Sequence, residues 1–254
     1  MRKAIFITVR LASTRLPQKA LVKLYGEVSL IEHDIRRAKL VEGIDAIILC
    51  TTKEADDDLL CEIATREGIH FYRGSTEDKL TRWLEAADKF EIDYFVTFDG
   101  DDPLCDPELI MKALAQFEVN QPDLIEAPDV SAGAFTYCIN VNTLREICKN
   151  KKSESTEMMW VYFKENGAYL VESLLNIEPL FQRPEYRLTL DYPEDLHFFQ
   201  QLFAETGYSY ETSLREILAH LDLHPQISKI NFYRHQEFLE NQQNKIRINS
   251  EREN

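Results

Sequence analysis

Residues 4–9 (AIFITV) form an unbroken apolar, β-branched run, the pattern of a strand buried on both faces. A polar loop follows. Over 29–41 the apolar residues Leu30, Ile31, Ile35 and Ala38 fall at helical spacing, which predicts a helix. Residues 46–51 (AIILCT) predict a second buried strand, 57–67 a second amphipathic helix, and 69–72 a short strand. Ser75, with Asp78 three residues on, resembles a capping box opening a helix that runs to about Phe90. Residues 94–98 (YFVTF) predict the next strand, and a helix follows over about 106–117. This β-α-β-α alternation predicts an α/β fold on a mostly parallel central sheet with helices on both faces.

Beyond residue 120 the rhythm changes. Strands are predicted over 134–141 and 168–174, with helices over about 142–150 and 155–166. Residues 186–190 read as a further strand, Pro193 opens a helix to about Glu205, and another helix covers about 211–222. With no internal repeat and no flexible linker, the expectation is one domain over 1–244 and a polar tail over 245–254.

Charge narrows the function. Lys plus Arg number 29 against 44 Asp plus Glu, a formal charge of −15. That balance disfavours nucleic acid and anionic membranes as partners. An anionic ligand therefore needs a local cluster of cations. No apolar stretch is long enough for a membrane span or a signal-peptide core. The five cysteines (Cys50, Cys61, Cys105, Cys138, Cys148) form no CxxC pair, which argues against a zinc ribbon or a disulfide framework. The expected compartment is cytoplasmic.

Such a cluster exists. In the loop after the first strand, RLASTRLPQKAL (10–21), Arg10, Arg15 and Lys19 crowd together, with Lys23 just beyond. Loops at the carboxyl ends of parallel strands are where α/β sheets bind ligands, and these side chains would clamp a polyphosphate. Ser13 and Thr14 add hydroxyl and backbone donors. A solvated basic loop is the alternative. A second segment, FDGDDPLCDPEL (98–109), places Asp99, Asp101 and Asp102 around Gly100 at another strand end, with Asp106 opening a helix. Mg²⁺ takes carboxylates together with substrate phosphates, and this cluster suits it; an Asp-rich turn is the bland alternative. In RLTLDYPEDL (187–196), Asp191 is either a turn residue or a second carboxylate for that metal. In RGSTEDKLTRW (73–83), either Ser75 and Asp78 serve only as helix caps, or Arg73 and the helix N-terminus reach a ligand. No P-loop, no GxGxxG fingerprint and no GxSxG elbow occurs.

These four segments, in this order, resemble the CMP-sugar synthetase superfamily, in its spore-coat polysaccharide cytidylyltransferase-like branch. That branch is related to the 3-deoxy-manno-octulosonate and acylneuraminate cytidylyltransferases. The resemblance spans roughly residues 3–120 and 186–205. It implies a Rossmann-like, GT-A-like nucleotidyltransferase domain whose inserted segment, about 125–180, serves dimerisation and the acceptor. It further implies CTP and a small acidic acceptor as partners, Mg²⁺ as cofactor, and a homodimer. Arg10, Arg15, Lys19 and Asp101 would carry catalysis. Arg10, Ser13, Thr14, Arg15, Lys19, Arg73 and Ser75 would contact the nucleotide, and Asp101 and Asp191 the metal. Gln18 departs from the family's usual Gly. Residues 127–144 and 155–163 depart from its usual wording, with Met158 and Met159 at positions of polar contacts.

The activity implied is transfer of CMP from CTP to a sugar acid for surface polysaccharide synthesis, releasing pyrophosphate. Three alternatives stay open: a phosphate or phosphonate acceptor giving a CDP-linked product, a DxD-type glycosyltransferase, and a non-catalytic nucleotide-binding protein.

Overall fold

The computed structural model describes residues 1–13, 15–164 and 167–241. In chain order the strands are β1 (Lys3–Thr8), β2 (Lys23–Tyr25), β3 (Val28–Ser29), β4 (Ala46–Thr52), β5 (His70–Gly74), β6 (Tyr94–Asp99), β7 (Leu124–Glu126), β8 (Tyr137–Asn140) and β9 (Val171–Ser173). The helices are α1 (Leu30–Ala38), α2 (Asp58–Arg66), α3 (Lys79–Phe90), α4 (Pro107–Asn120), α5 (Val141–Asn150), α6 (Trp160–Lys164), α7 (Pro193–Thr206), α8 (Leu214–Leu223) and α9 (Pro225–Ser228). Residues 234–241 are also helical.

Seven strands form one sheet in the order β5-β4-β1-β6-β8-β7-β9. The half β5-β4-β1-β6 is parallel, β8 runs antiparallel to both β6 and β7, and β9 returns parallel to β7. Alternate side chains of β1 feed two cores. Ile5 and Ile7 join residues of α1, α2, α4, α7 and α8, whereas Ala4 and Phe6 join those of α3, α5 and α6. The sheet is therefore covered on both faces, which accounts for the unbroken apolar runs of its parallel strands. The mostly parallel Rossmann-like sheet expected from the sequence is present.

From β1 the chain moves to β4 on one side and later to β6 on the other. The reversal opens a crevice at the carboxyl ends of β1 and β6, where doubly wound sheets bind ligands. Thr8 and Asp99 are register partners there, and the Gly100 N–H donates to the Thr8 carbonyl at 2.9 Å. A Cβ on Gly100 would lie 2.8 Å from the Val9 Cβ, so only glycine lets the two loops approach this closely.

Several sequence expectations need correction. The strand read over 186–190 is an extended strap rather than a sheet member. Its backbone is pinned at separate places, by Leu188 N–H to the Ala132 carbonyl and Leu190 N–H to the Asp101 carbonyl, both at 2.7 Å. The cap of α3 is Asp78, which accepts from the Thr81 N–H at 3.1 Å, while Ser75 Oγ accepts from the Asp78 N–H. The helix read over 155–166 begins only at Trp160. Thr156 is engaged upstream, donating to Asp78 and accepting from the Leu80 N–H, each at 3.0 Å. The strand read over 134–141 begins at Tyr137, because the Ala134 carbonyl accepts from the Asp106 N–H at 2.8 Å. The expected polar tail lies outside the described residues. Cys50, Cys61, Cys105 and Cys138 are buried and Cys148 is half-buried, all as free thiols. No described helix is long and apolar enough to cross a membrane.

Candidate active site

The basic loop is fixed at its root by Asp57. This buried carboxylate accepts the Leu11 N–H at 2.8 Å and the Thr51 hydroxyl at 2.8 Å, together with the Thr52 N–H and hydroxyl. The loop ends in a single 3-10 turn over 19–21, entered through Gln18 at φ 51°, ψ 34°. That left-handed conformation costs an L side chain about 1 kcal/mol, which glycine avoids. Lys19 is thereby turned inward.

There the Lys19 ammonium donates to Asp101 at 2.5 Å and to Asp191 at 3.0 Å. Arg15 donates to the same Asp191 oxygen at 2.5 Å and lies over the Tyr192 ring, 5.2 Å from its centre. The two carboxylates singled out in the sequence thus converge, although 90 positions separate Asp101 from Asp191 (191 − 101). A buried scaffold holds Asp191. Arg187 donates twice to Asp195 at 2.9 Å and once to the second Asp191 oxygen at 3.2 Å. Asp195 also accepts the Asp191 and Tyr192 N–H groups at 2.9 and 3.0 Å, and Asn231 donates to it at 2.9 Å.

Protonation follows from these contacts. Burial disfavours charge on Lys19, yet Asp101 and Asp191 outweigh it and raise its pKa above the ordinary lysine value. Burial also disfavours charge on Asp191, but Lys19 and Arg15 hold its carboxyl below the ordinary range. Asp101 is pushed the other way, by burial first and, against the pull of Lys19, by the charges of Asp191 and Asp99. Asp102, buried beside Asp101 and Asp99, is raised well above the ordinary range for the same reasons.

A cleft of about 870 Å³ opens over this cluster. Arg10, Ser13, Arg15, Lys19, Asp101 and Asp191 all line it, so the structure gathers most of the residues picked from sequence. Thr14 lies outside the described residues. Arg73 and Ser75 are not on the cleft wall. The Arg73 guanidinium is occupied by Asp58 and by the carbonyls of Thr52 and Glu54, at 2.9 and 2.8 Å.

Sequence reasoning missed two cations on the wall, Lys79 and Arg82. Their i, i+3 spacing in the first turns of α3 puts them on one helix face and was the available signal. Lys79 donates to Asp99 at 3.1 Å and sits over the Trp83 ring. It also missed Tyr192, Phe238 and Asn241, which no local pattern announces. The opposite wall comes from 126–160 and presents Glu126, Glu157, Phe135, Tyr137 and Trp160. Met158 lines the cleft, whereas Met159 belongs to the core.

Among the described residues no group of three or more His, Cys, Asp or Glu side chains is arranged to hold a metal alone. The donors nevertheless fit a hard divalent ion. Asp101 and Asp191 aim one oxygen each at a single point, the Lys19 ammonium, and Mg²⁺ takes one or two carboxylates with substrate phosphates and water completing its shell.

The chain is similar to known proteins in both sequence and fold. Residues 4–246 match the family model described as cytidylyltransferase. The spore coat polysaccharide biosynthesis protein SpsF of Bacillus subtilis is 25% identical over 224 residues, 86% of this chain and 93% of that protein. A solved cytidylyltransferase from Leptospira borgpetersenii superposes with a TM-score of 0.81 at 24% identity, covering 90% of this chain and 97% of that one. CMP:2-keto-3-deoxy-manno-octonic acid synthetase complexed with CTP superposes with a TM-score of 0.62 at 17% identity, covering 81% and 100%.

Proposed function

The chain belongs to the cytidylyltransferase family, CTP-dependent nucleotidyltransferases, and from that premise we propose that it transfers CMP from CTP to a small acidic acceptor, a sugar acid, and releases pyrophosphate. The observation that carries this reading is the convergence of Arg15 and Lys19 with Asp101 and Asp191 at the crevice between β1 and β6. An acceptor oxygen attacks the α-phosphorus. The new O–P bond forms as the bond to the bridging oxygen breaks, that oxygen leaves with the pyrophosphate, and the proton of the acceptor hydroxyl is released to water. Arg10, Arg15 and Lys19 balance the charge collecting on the leaving group, and Ser13, on the same cleft wall, adds a hydroxyl and a backbone donor. Such chemistry asks the protein mainly for positioning and electrostatics. Asp101 and Asp191 would hold Mg²⁺, which when bound supplies Lewis-acid neutralisation of phosphate oxygens.

The aromatic wall of Phe135, Tyr137 and Trp160 supports a ring-shaped acceptor, since sugar C–H faces pack on aromatic rings while Glu126 and Glu157 offer acceptors to hydroxyls. Dimerisation through 125–180 is supported by Leu170 and Leu175, exposed on either side of β9, whose outer edge pairs with no strand among the described residues. A cytosolic nucleotide as donor suits a cytoplasmic protein.

Pyrophosphate release from CTP, with Mg²⁺ and a panel of sugar acids, tests the reading. Wild type is expected to consume CTP in preference to other nucleoside triphosphates. Asp101→Ala and Asp191→Ala are expected to fold and to lose at least about 100-fold in turnover, the worth of a metal's charge stabilisation. Consumption of a UDP-sugar with release of a nucleoside diphosphate, CTP being inert, would sink the reading in favour of a glycosyltransferase.

A further inference from the structure

Among the described residues three arginines are almost completely buried: Arg37, Arg82 and Arg187. Two have counter-charges. Arg187 is held by Asp195 and Asp191. Arg37 faces Asp106 at 3.6 Å and donates to the carbonyls of Cys105, Tyr210 and Thr212. Arg82 is different. It is 4% exposed, its one side-chain hydrogen bond runs from Nη1 to the Ser75 carbonyl at 2.8 Å, and its Nε has no partner. No carboxylate pairs with it among the described residues.

A buried guanidinium without a counter-charge is strongly unfavourable for a folded protein. The packing nonetheless accommodates this one. A Cβ at Gly74 would stand 2.7 Å from the Arg82 Cγ, so the end of β5 is shaped around the arginine stem. Burial lowers the Arg82 pKa below the ordinary arginine value and the nearby Arg10 charge pulls in the same direction, outweighing the opposing charges of Asp57 and Asp78, neither of which contacts the guanidinium.

What Arg82 faces is the cleft. The other cations there are matched, Arg15 and Lys19 by Asp191 and Asp101, and Lys79 by Asp99. Arg10 is the exception besides Arg82. Among the described residues its guanidinium makes only a long contact, 3.4 Å, to the Thr76 carbonyl. Two guanidiniums without carboxylate partners therefore look into one crevice.

We propose that Arg82 and Arg10 form an oxyanion subsite in the cleft, with Arg82 as a binding residue that carries its uncompensated charge in order to take a phosphate of the nucleotide or the carboxylate of the acceptor. The choice between these two sources rests on the cytidylyl-transfer reading; the subsite itself does not. Arg82 thus trades stability of the ligand-free fold for affinity.

Thermal melting of wild type, Arg82→Gln and Arg82→Met tests this, each with no ligand, inorganic pyrophosphate, CMP, CTP with Mg²⁺, and N-acetylneuraminate in the presence of CMP. The glutamine variant retains a donor for the Ser75 carbonyl and is expected to melt, ligand-free, no lower than wild type. If the anion is a nucleotide phosphate, both variants bind pyrophosphate and CTP at least ten-fold more weakly, with CMP unaffected. If it is the acceptor's carboxylate, the shift given by N-acetylneuraminate is the one lost. Ligand shifts of wild-type size in both variants overturn the assignment, because Arg82 then only braces the Ser75 loop. Wild type that responds to pyrophosphate but not to CTP would instead remove the cytidylyl-transfer reading and leave the subsite standing.

Discussion

Asp195 shows how one residue off the cleft controls one on it. Its two oxygens take both ends of the Arg187 fork, the Asn231 amide and the backbone N–H groups of Asp191 and Tyr192. The same contacts cap α7, whose first turn it occupies. Removing one partner of a buried, hydrogen-bonded ion pair leaves the other uncompensated, a loss of about 3–5 kcal/mol. Asp195→Ala is expected to lose that much in urea unfolding; a loss below about 1 kcal/mol would show that Asp191 is held by its cleft partners alone. None of this was visible in RLTLDYPEDL beyond the presence of acids. Asp191 stood out as a candidate, but its partners Lys19 and Arg15 lie 172 and 176 residues away. Spacing along a chain carries no record of such meetings.

At the level of elements, the long apolar runs were legible because β1, β4 and β6 are covered on both faces. Short pieces were not. β7 and β9 have three residues each, too few for any periodicity, and the hairpin pairs three residues in β2 with two in β3. The 186–190 strap has the alternation of a strand, apolar Tyr186, Leu188 and Leu190 between polar Arg187 and Thr189, but all five are buried and its hydrogen bonds go to two different loops. Gly133 decides that arrangement. With φ at 92°, a Cβ added there would fall 2.2 Å from the Leu188 carbonyl oxygen. Gly133→Ala combines backbone strain with a clash against main chain, each worth about 1–3 kcal/mol. It is expected to cost at least about 3 kcal/mol and to weaken ligand binding, because the displaced strap carries Asp191. A variant matching wild type in melting temperature and CTP response would mean that the strap has another anchor.

Over the whole molecule, the −15 charge makes the burial of ionisable groups on α1 conspicuous. His33 is fully buried, its Nε2 2.7 Å from the Pro103 carbonyl. Burial pulls its pKa down from 6.5 to about 3. Between those values the unfolded chain binds a proton that the folded one refuses, so this contribution is complete above pH 6.5 and is lost as pH falls towards 3, at about 1.4 kcal/mol per unit. Urea titrations at pH 7 and pH 5.5 are expected to show a drop in wild type that His33→Gln lessens; equal drops would assign the acid sensitivity elsewhere. Sequence alone gave the sheet's parallel character and the resemblance, since both follow from local pattern. The neutralised and unneutralised arginines emerged only from packing. The topology also has a consequence in time. A growing chain completes β5-β4-β1-β6, with its basic loop and Asp101, about 90 residues before Asp191 is made and some 130 before Asn231. At a synthesis rate of about 5–20 residues per second, the half-built crevice spends several seconds on the ribosome with Lys19 lacking its second carboxylate. Nucleotide capture is then an event of chain completion, and early ribosome-bound intermediates are expected to be blind to the ligand that the finished molecule holds.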